Sequence, residues 1–222
     1  MVRRRDPWCP GVTARSSTGR TRPPVVLVFG ESINDSKSIE HLLVAANPAL
    51  AGRVRARPRP ISLTREAKPP AVRSWVADLG RAVRATEATG DRVAGIVVHR
   101  DADGPDRTGS VAADLTRQLA AVGGKAAVPV QAIEAWWFLF PDAVEAVRPR
   151  AWRRRLPRKR QDVELIYRPK EALQRATRTK DGPEYAESDS PVIAEYIRRH
   201  SLQPLHHCAS YSRLVTTAGE VS

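Results

Sequence analysis

The chain has 222 residues, 41% of them hydrophobic and 27% charged, and carries a formal net charge of +13. That length gives room for one α/β domain with a sizeable core, and no apolar run reaches the roughly 18–20 residues that a membrane-spanning helix needs. Cys9 and Cys208 are too few and too isolated for a disulfide framework or a zinc site, so a reducing cytoplasm is the expected setting.

Residues 1–24 mix Arg, Pro, Ser, Thr and Gly without periodicity and read as a disordered basic tail. Val25 to Phe29 is a short, all-apolar, β-branched run of the kind found in a central strand. After Gly30-Glu31-Ser32, any of Asn34, Asp35 or Ser36 can cap a helix whose apolar face is Ile39, Leu42, Leu43 and Ala46, and Asn47-Pro48 ends it. Residues 53–63 allow an edge strand, broken by Pro58 and Pro60. A helix follows Pro69-Pro70, with Val72, Val76, Leu79 and Val83 at helical spacing, and ends near Gly90. Val93 to Val98 is again a buried strand, and it runs into Asp101-Ala-Asp103-Gly-Pro. Residues 109–122 give an amphipathic helix, and Lys125 to Val130 a fourth strand. The run Trp136-Trp137-Phe138-Leu139-Phe140 reads as a core helix. Beyond Pro141 the chain becomes a small helical region, with helices expected over 170–176, 192–200 and 204–216.

Strand–helix alternation with short connections implies a doubly wound, mostly parallel sheet of about four strands over residues 25–147. Ligands in such sheets bind beyond the carboxyl ends of the strands. Glu31 follows the first strand, Asp101 and Asp103 the third, and Glu134 the fourth, so all four acids are expected at one edge. In an extended chain, side chains at i and i+2 point the same way, which would put the two aspartates on one face. Adjacent carboxylates repel unless a cation lies between them, and oxygen-only donors suit Mg2+ or Mn2+. A solvated Asp-Gly turn is the other reading of the same stretch. On the metal reading, Asp101 and Asp103 are ligands, Glu31 is a further ligand or the general base, and Glu134 holds a second ion. Asp106 is a spare ligand or a turn acid. The chain has neither a Walker-type phosphate loop nor Gly-x-Ser-x-Gly.

The charge excess sits in two places: the tail, with six arginines against Asp6, and residues 148–160, with eight cations and no acid. Arg148, Arg150, Arg153, Arg154, Arg155, Arg158, Lys159 and Arg160 therefore form a basic linker suited to DNA or RNA, and Trp152 among them could stack a base. Eight phosphate contacts would give a log–log salt slope near about −7. Lys170 is a further candidate for a phosphate contact, with surface solvation as its other reading.

Phe29-Gly30-Glu31, the strand ending in Asp101-Ala-Asp103, and Ile133-Glu134-Ala-Trp136 together resemble the Toprim family, in particular the small bacterial Toprim-like proteins related to the OLD (overcoming lysogenization defect) nucleases. Pro169-Lys170-Glu171 and Cys208-Ala-Ser-Tyr211 are similar to that subgroup as well. The likeness spans roughly residues 25–140 closely and the rest loosely. The chain departs from the pattern after the first acid, where Glu31-Ser-Ile-Asn-Asp35 stands in place of a tight Gly turn. The resemblance implies a Toprim-like fold with a helical C-terminal region (148–222) and a magnesium-dependent nuclease. In phage defence such nucleases often work beside an ABC- or AAA-type ATPase partner. A catalytically inactive, nucleic-acid-binding or regulatory subunit with the same fold is the alternative.

Overall fold

In the computed structural model, residues 22–58, 69–106, 108–180 and 182–221 are described. The expected tail therefore lies, up to residue 21, outside the described residues, as does the second half of the expected edge strand. Val25–Phe29 (β1) is buried along its whole length, as its apolar sequence demands. It pairs in parallel with Val54–Ala56 (β2) on one side and Val93–His99 (β3) on the other. Gly124–Ala127 (β4) pairs in parallel with β3, giving the sheet order β2-β1-β3-β4. The α/β class and the four-stranded parallel sheet expected from the sequence are present, and so is the helical C-terminal region, an arrangement consistent with a Toprim-like fold.

This order reverses direction at β1. Right-handed crossovers then require the first helix, Ile33–Ala46 (α1), to cover one face and Pro69–Glu87 (α2) and Ser110–Leu119 (α3) the other. The two cores follow the two-residue alternation of the strands. Val26, Val28 and Val97 pack with Ile39, Leu42 and Leu43 of α1, whereas Val25, Leu27, Phe29, Ile96 and Val98 pack with Trp75, Leu79, Leu115 and Leu119. The gap between β1 and β3, where the winding changes direction, is the topological switch point.

The remaining helices are Glu134–Trp137 (α4), Pro141–Val147 (α5), Pro169–Thr177 (α6), Ser190–His200 (α7) and Ala209–Glu220 (α8). They complete the α1 side of the sheet: Trp136, Trp137, Ile193, Ile197, Tyr211 and Leu214 belong to the same core as Val26 and Val97. At Gly95 in β3, an added Cβ would lie 3.2 Å from Val221 Cγ1, so the segment after α8 seats directly on the strand.

Several boundaries differ from the sequence reading. The apolar run 133–140 makes only one short helix, because Pro141 opens α5. The last helix starts at Ala209, not Pro204. Leu205 N–H is instead drawn to Leu139 O at 2.9 Å, which holds that segment in a non-helical path. Residues 148–160 are not a free linker, since Trp152 and Leu156 are buried in the main core.

Candidate functional site

Gly30 is the last residue before the acid of β1, and a Cβ there would come within 3.0 Å of Asp35 Cβ and Ser36 Oγ. Glycine thus lets the strand exit run close against the start of α1. The helix is capped by Ser32, two residues before the first of the three candidates from sequence: Ser32 Oγ accepts from Asp35 N–H at 3.1 Å, and Asp35 Oδ2 accepts from Ser32 N–H at 2.9 Å. This reciprocal box replaces the tight Gly turn missing from the sequence and anchors the residue that follows Glu31.

Glu31 faces the exit of β3. Its Oε2 accepts a hydrogen bond from Asp101 N–H at 3.3 Å, across the switch point. Asp101 Oδ1 accepts in turn from Ile133 N–H at 3.1 Å, so the β1, β3 and β4 exits are tied together through two carboxylates. Asp101 Oδ2 and Glu31 Oε1 accept no hydrogen bond from the described residues. Burial raises the Glu31 pKa above the usual carboxylate range; the Asp101 N–H opposes this, and the charges of Asp101 and Asp103 add to it.

Asp103 stands differently. β3 ends at His99, and Asp103 has φ 53°, so strand alternation does not extend to it and its side chain lies on the exposed loop. The alternation holds one step earlier, between His99 and Asp101. His99 is wholly buried, with Nε2 3.3 Å from Asp101 Oδ1, and neither ring nitrogen has a well-aligned hydrogen bond. Burial disfavours its imidazolium, but Asp101, Asp35 and Glu31 together outweigh burial and raise its pKa. The sequence reading missed His99, although the same i, i+2 rule used for the aspartates also pairs it with Asp101. Asp106 resolves as a structural acid: Oδ1 accepts from Ser110 N–H and Oγ at 2.8 Å each, and Oδ2 from Val111 N–H at 3.0 Å, capping α3.

Glu134 opens α4 and is only 4% exposed. Burial, reinforced by the Asp101 charge, pushes its carboxyl up to about 7. Its Oε1 accepts from the buried Tyr185 hydroxyl at 3.1 Å. Lys170 is close enough to act on the Glu134 charge but is itself ion-paired with Glu187.

Among the described residues, no three His, Cys, Asp or Glu side chains converge into a ready cation site. The donor chemistry nonetheless fits a hard ion. The two oxygens left open on Glu31 and Asp101 match what Mg2+ asks of a protein, namely one or two carboxylates, with water and substrate oxygens completing the shell.

The basic stretch divides. Arg148 is ion-paired to Asp189 at 2.8 Å and lies over the Trp152 ring, and Arg158 bridges Asp142 at 2.6 Å and Glu145 at 3.0 Å. Arg150, Arg153, Arg154, Arg155, Lys159 and Arg160 are exposed and make no ion pair among the described residues. Trp152 cannot stack a base: it is fully buried and its Nε1–H donates to Pro183 O at 3.0 Å. The exposed aromatic of this region is Tyr167, 71% exposed, with the Arg168 guanidinium over its ring.

No protein-family model, no curated protein and no solved structure matches this chain. Among the described residues, no helix is long and apolar enough to cross a membrane.

Proposed function

We propose that the protein is a metal-dependent nuclease of the cytoplasm, hydrolysing phosphodiester bonds in DNA or RNA with Mg2+ or Mn2+. The observation that supports this best is the pairing of Glu31 with Asp101 across the switch point, each with one carboxylate oxygen left open. In this reading Glu31 and Asp101 would hold the ion, Asp103 would add a ligand from the neighbouring loop, and Glu134 would serve a second ion. A hard divalent cation at that position supplies a more acidic water and offsets charge on the attacked phosphate.

The chain's own residues do the rest. Asp101 N–H orients the Glu31 carboxylate, and Ile133 N–H orients Asp101. Glu31 is the further ligand or, where Asp101 holds the ion without it, the general base, a role that suits a carboxylate whose proton affinity is raised by burial. Exposed Arg150, Arg153, Arg154, Arg155, Lys159 and Arg160 supply the phosphate-binding charge. An ABC- or AAA-type ATPase partner belongs to the same proposal, on the resemblance alone.

The test is cleavage of duplex and single-stranded DNA and RNA by purified protein, alone and with a genomically adjacent ATPase. Activity should require Mg2+ or Mn2+ and vanish in Glu31→Ala and Asp101→Ala. Absence of metal-stimulated cleavage under all these conditions would sink the reading. The second reading, a nucleic-acid-binding subunit without catalysis, draws on the fact that no three carboxylates converge among the described residues. It requires binding that survives both acid substitutions and is lost when the six free cations are neutralised.

A further inference from the structure

Tyr167 is the most exposed of the large hydrophobic side chains among the described residues, at 71%, and Leu165, two positions earlier, is 54% exposed. The backbone explains why they come as a pair. Ile166 between them is extended and packs against the main core, so its two neighbours turn outward. Neither end of this segment is loose. Glu164 accepts from Ser210 N–H at 2.7 Å, which ties the single helical turn Val163–Leu165 to α8, and the buried Pro169 opens α6. A ring held this way loses little further freedom when a flat group packs on it.

Arg168 is held against the same ring. It has φ 48°, a left-handed backbone that favours glycine, and its side chain makes no capping bond to the helix it precedes. Its guanidinium forms no ion pair among the described residues and lies over the Tyr167 ring, 5.2 Å from the centroid. An exposed cation–π pair is among the weaker contacts in a protein and does little to offset backbone strain. With one face under the guanidinium, a ring this exposed has its other face in solvent.

The pair also stands beside both parts of the candidate site. α4, which Glu134 opens, packs against Val163–Leu165 and against α6, and Lys170 in the first turn of α6 acts on the Glu134 charge. Upstream, seven positions of chain separate Tyr167 from Arg160, the last of the six free cations. They span at most about 25 Å, which about eight nucleotides cover even at the spacing of stacked bases. Cations alone attract the phosphates of duplex and single strand alike. An open aromatic face adds something that only an unpaired base can use, because a duplex keeps its base faces stacked inside.

We propose that Tyr167, with Arg168 on one face and Leu165 beside it, is a stacking platform for an unpaired base, so that single-stranded nucleic acid is the preferred ligand of the basic surface. This rests on the protein binding nucleic acid, whether or not it cuts it.

The experiment is fluorescence anisotropy of the full chain in EDTA with three labelled ligands: an oligothymidine of about 15 nucleotides, a duplex of equal length, and an abasic strand of equal length. Wild type should bind oligothymidine more tightly than the abasic strand. Tyr167→Ala should weaken oligothymidine binding about ten- to a hundredfold, with duplex binding, abasic binding, the salt slope and the thermal midpoint as in wild type. Tyr167→Trp should keep the tight binding. Arg168→Gly relieves the left-handed backbone, so it should weaken oligothymidine binding without lowering the thermal midpoint. The triple variant Arg153→Ala, Arg154→Ala, Arg155→Ala should weaken all three ligands. Equal oligothymidine binding by wild type and Tyr167→Ala, or an equal loss on all three ligands, overturns the platform while the nucleic-acid reading stands, and gives the exposed ring to a protein partner. Failure of wild type to bind any of the three overturns both.

Discussion

Tyr185 donates its single hydroxyl proton to Glu134 Oε1, and that donation sets the direction of the contacts behind it. Trp137 Nε1–H can only donate, and it does so to Ser190 Oγ at 3.0 Å. The Ser190 proton is then free for the Tyr185 oxygen, 2.6 Å away, and the Tyr185 proton passes to Glu134. The carboxylate is thus the terminus of a one-way hydrogen-bond chain through α4, α7 and the loop between α6 and α7. Tyr185→Phe leaves Ser190 without its acceptor and Glu134 without its donor. We expect a stability loss of about 1–3 kcal/mol in denaturant melts, while Ser190→Ala, which breaks only the upstream link, leaves the Tyr185–Glu134 contact standing.

The raised Glu134 carboxyl has a definite pH signature. Its folded pKa of about 7 lies above the ordinary 4.5, chiefly through burial. Between those values the native chain keeps a proton that the unfolded chain has released, so this group's contribution to stability falls as pH rises through the window. In metal-free protein, the stability of Glu134→Gln relative to wild type should grow from about pH 4.5 to 7 and then level off, by up to about 3 kcal/mol. A difference that stays flat across that range would mean Glu134 titrates as an exposed acid.

Two of the eight basic-stretch cations are already committed to acids, so the salt dependence of nucleic-acid binding should be shallower than the sequence suggests. Six free cations set a ceiling on the log–log slope of about −5. Neutralising Arg153, Arg154 and Arg155 should reduce its magnitude by about 3, and Arg148→Ala should change it little. Trp152→Ala should cost stability, about 3–5 kcal/mol, without a selective loss for single strands. A steep slope change with Arg148→Ala would place that residue on the polyanion instead of on Asp189.

Cys208 is 4% exposed, and burial pushes its thiol up to about 11. In a Cys9→Ser background, the native protein should resist alkylation at pH 8 and react fully once unfolded. Rapid native labelling would contradict the packed start of α8.

The strands, the helix faces and the meeting of Glu31 with Asp101 at one edge were legible because apolar runs and strand order decide them. Glu31 and Asp101 could be paired from sequence by topology alone. What local sequence did not reveal depended on distant partners. Trp152 lies among arginines and reads as a surface aromatic, yet Pro183 O and the core claim it. Asp103 looks equivalent to Asp101, but its positive φ ends the alternation that would make it so. Ser32 competes as a cap with Asn34, Asp35 and Ser36 just after it, and the reciprocal Ser-x-x-Asp pattern with Asp35 decides in its favour.

The seating of α8 and Val221 on the first core has a consequence for how the protein comes to be folded. Asn47 Nδ2–H donates to Ala218 O at 3.0 Å, a contact between residues 171 positions apart. One face of the sheet, finished in sequence by residue 127, therefore has no complete cover until α8 has been synthesised. During that interval α1 already covers Val26, Val28 and Val97, but the part of the same face beside Gly95 and β4 stays open until Val221 and α8 arrive, which makes this a late-closing topology.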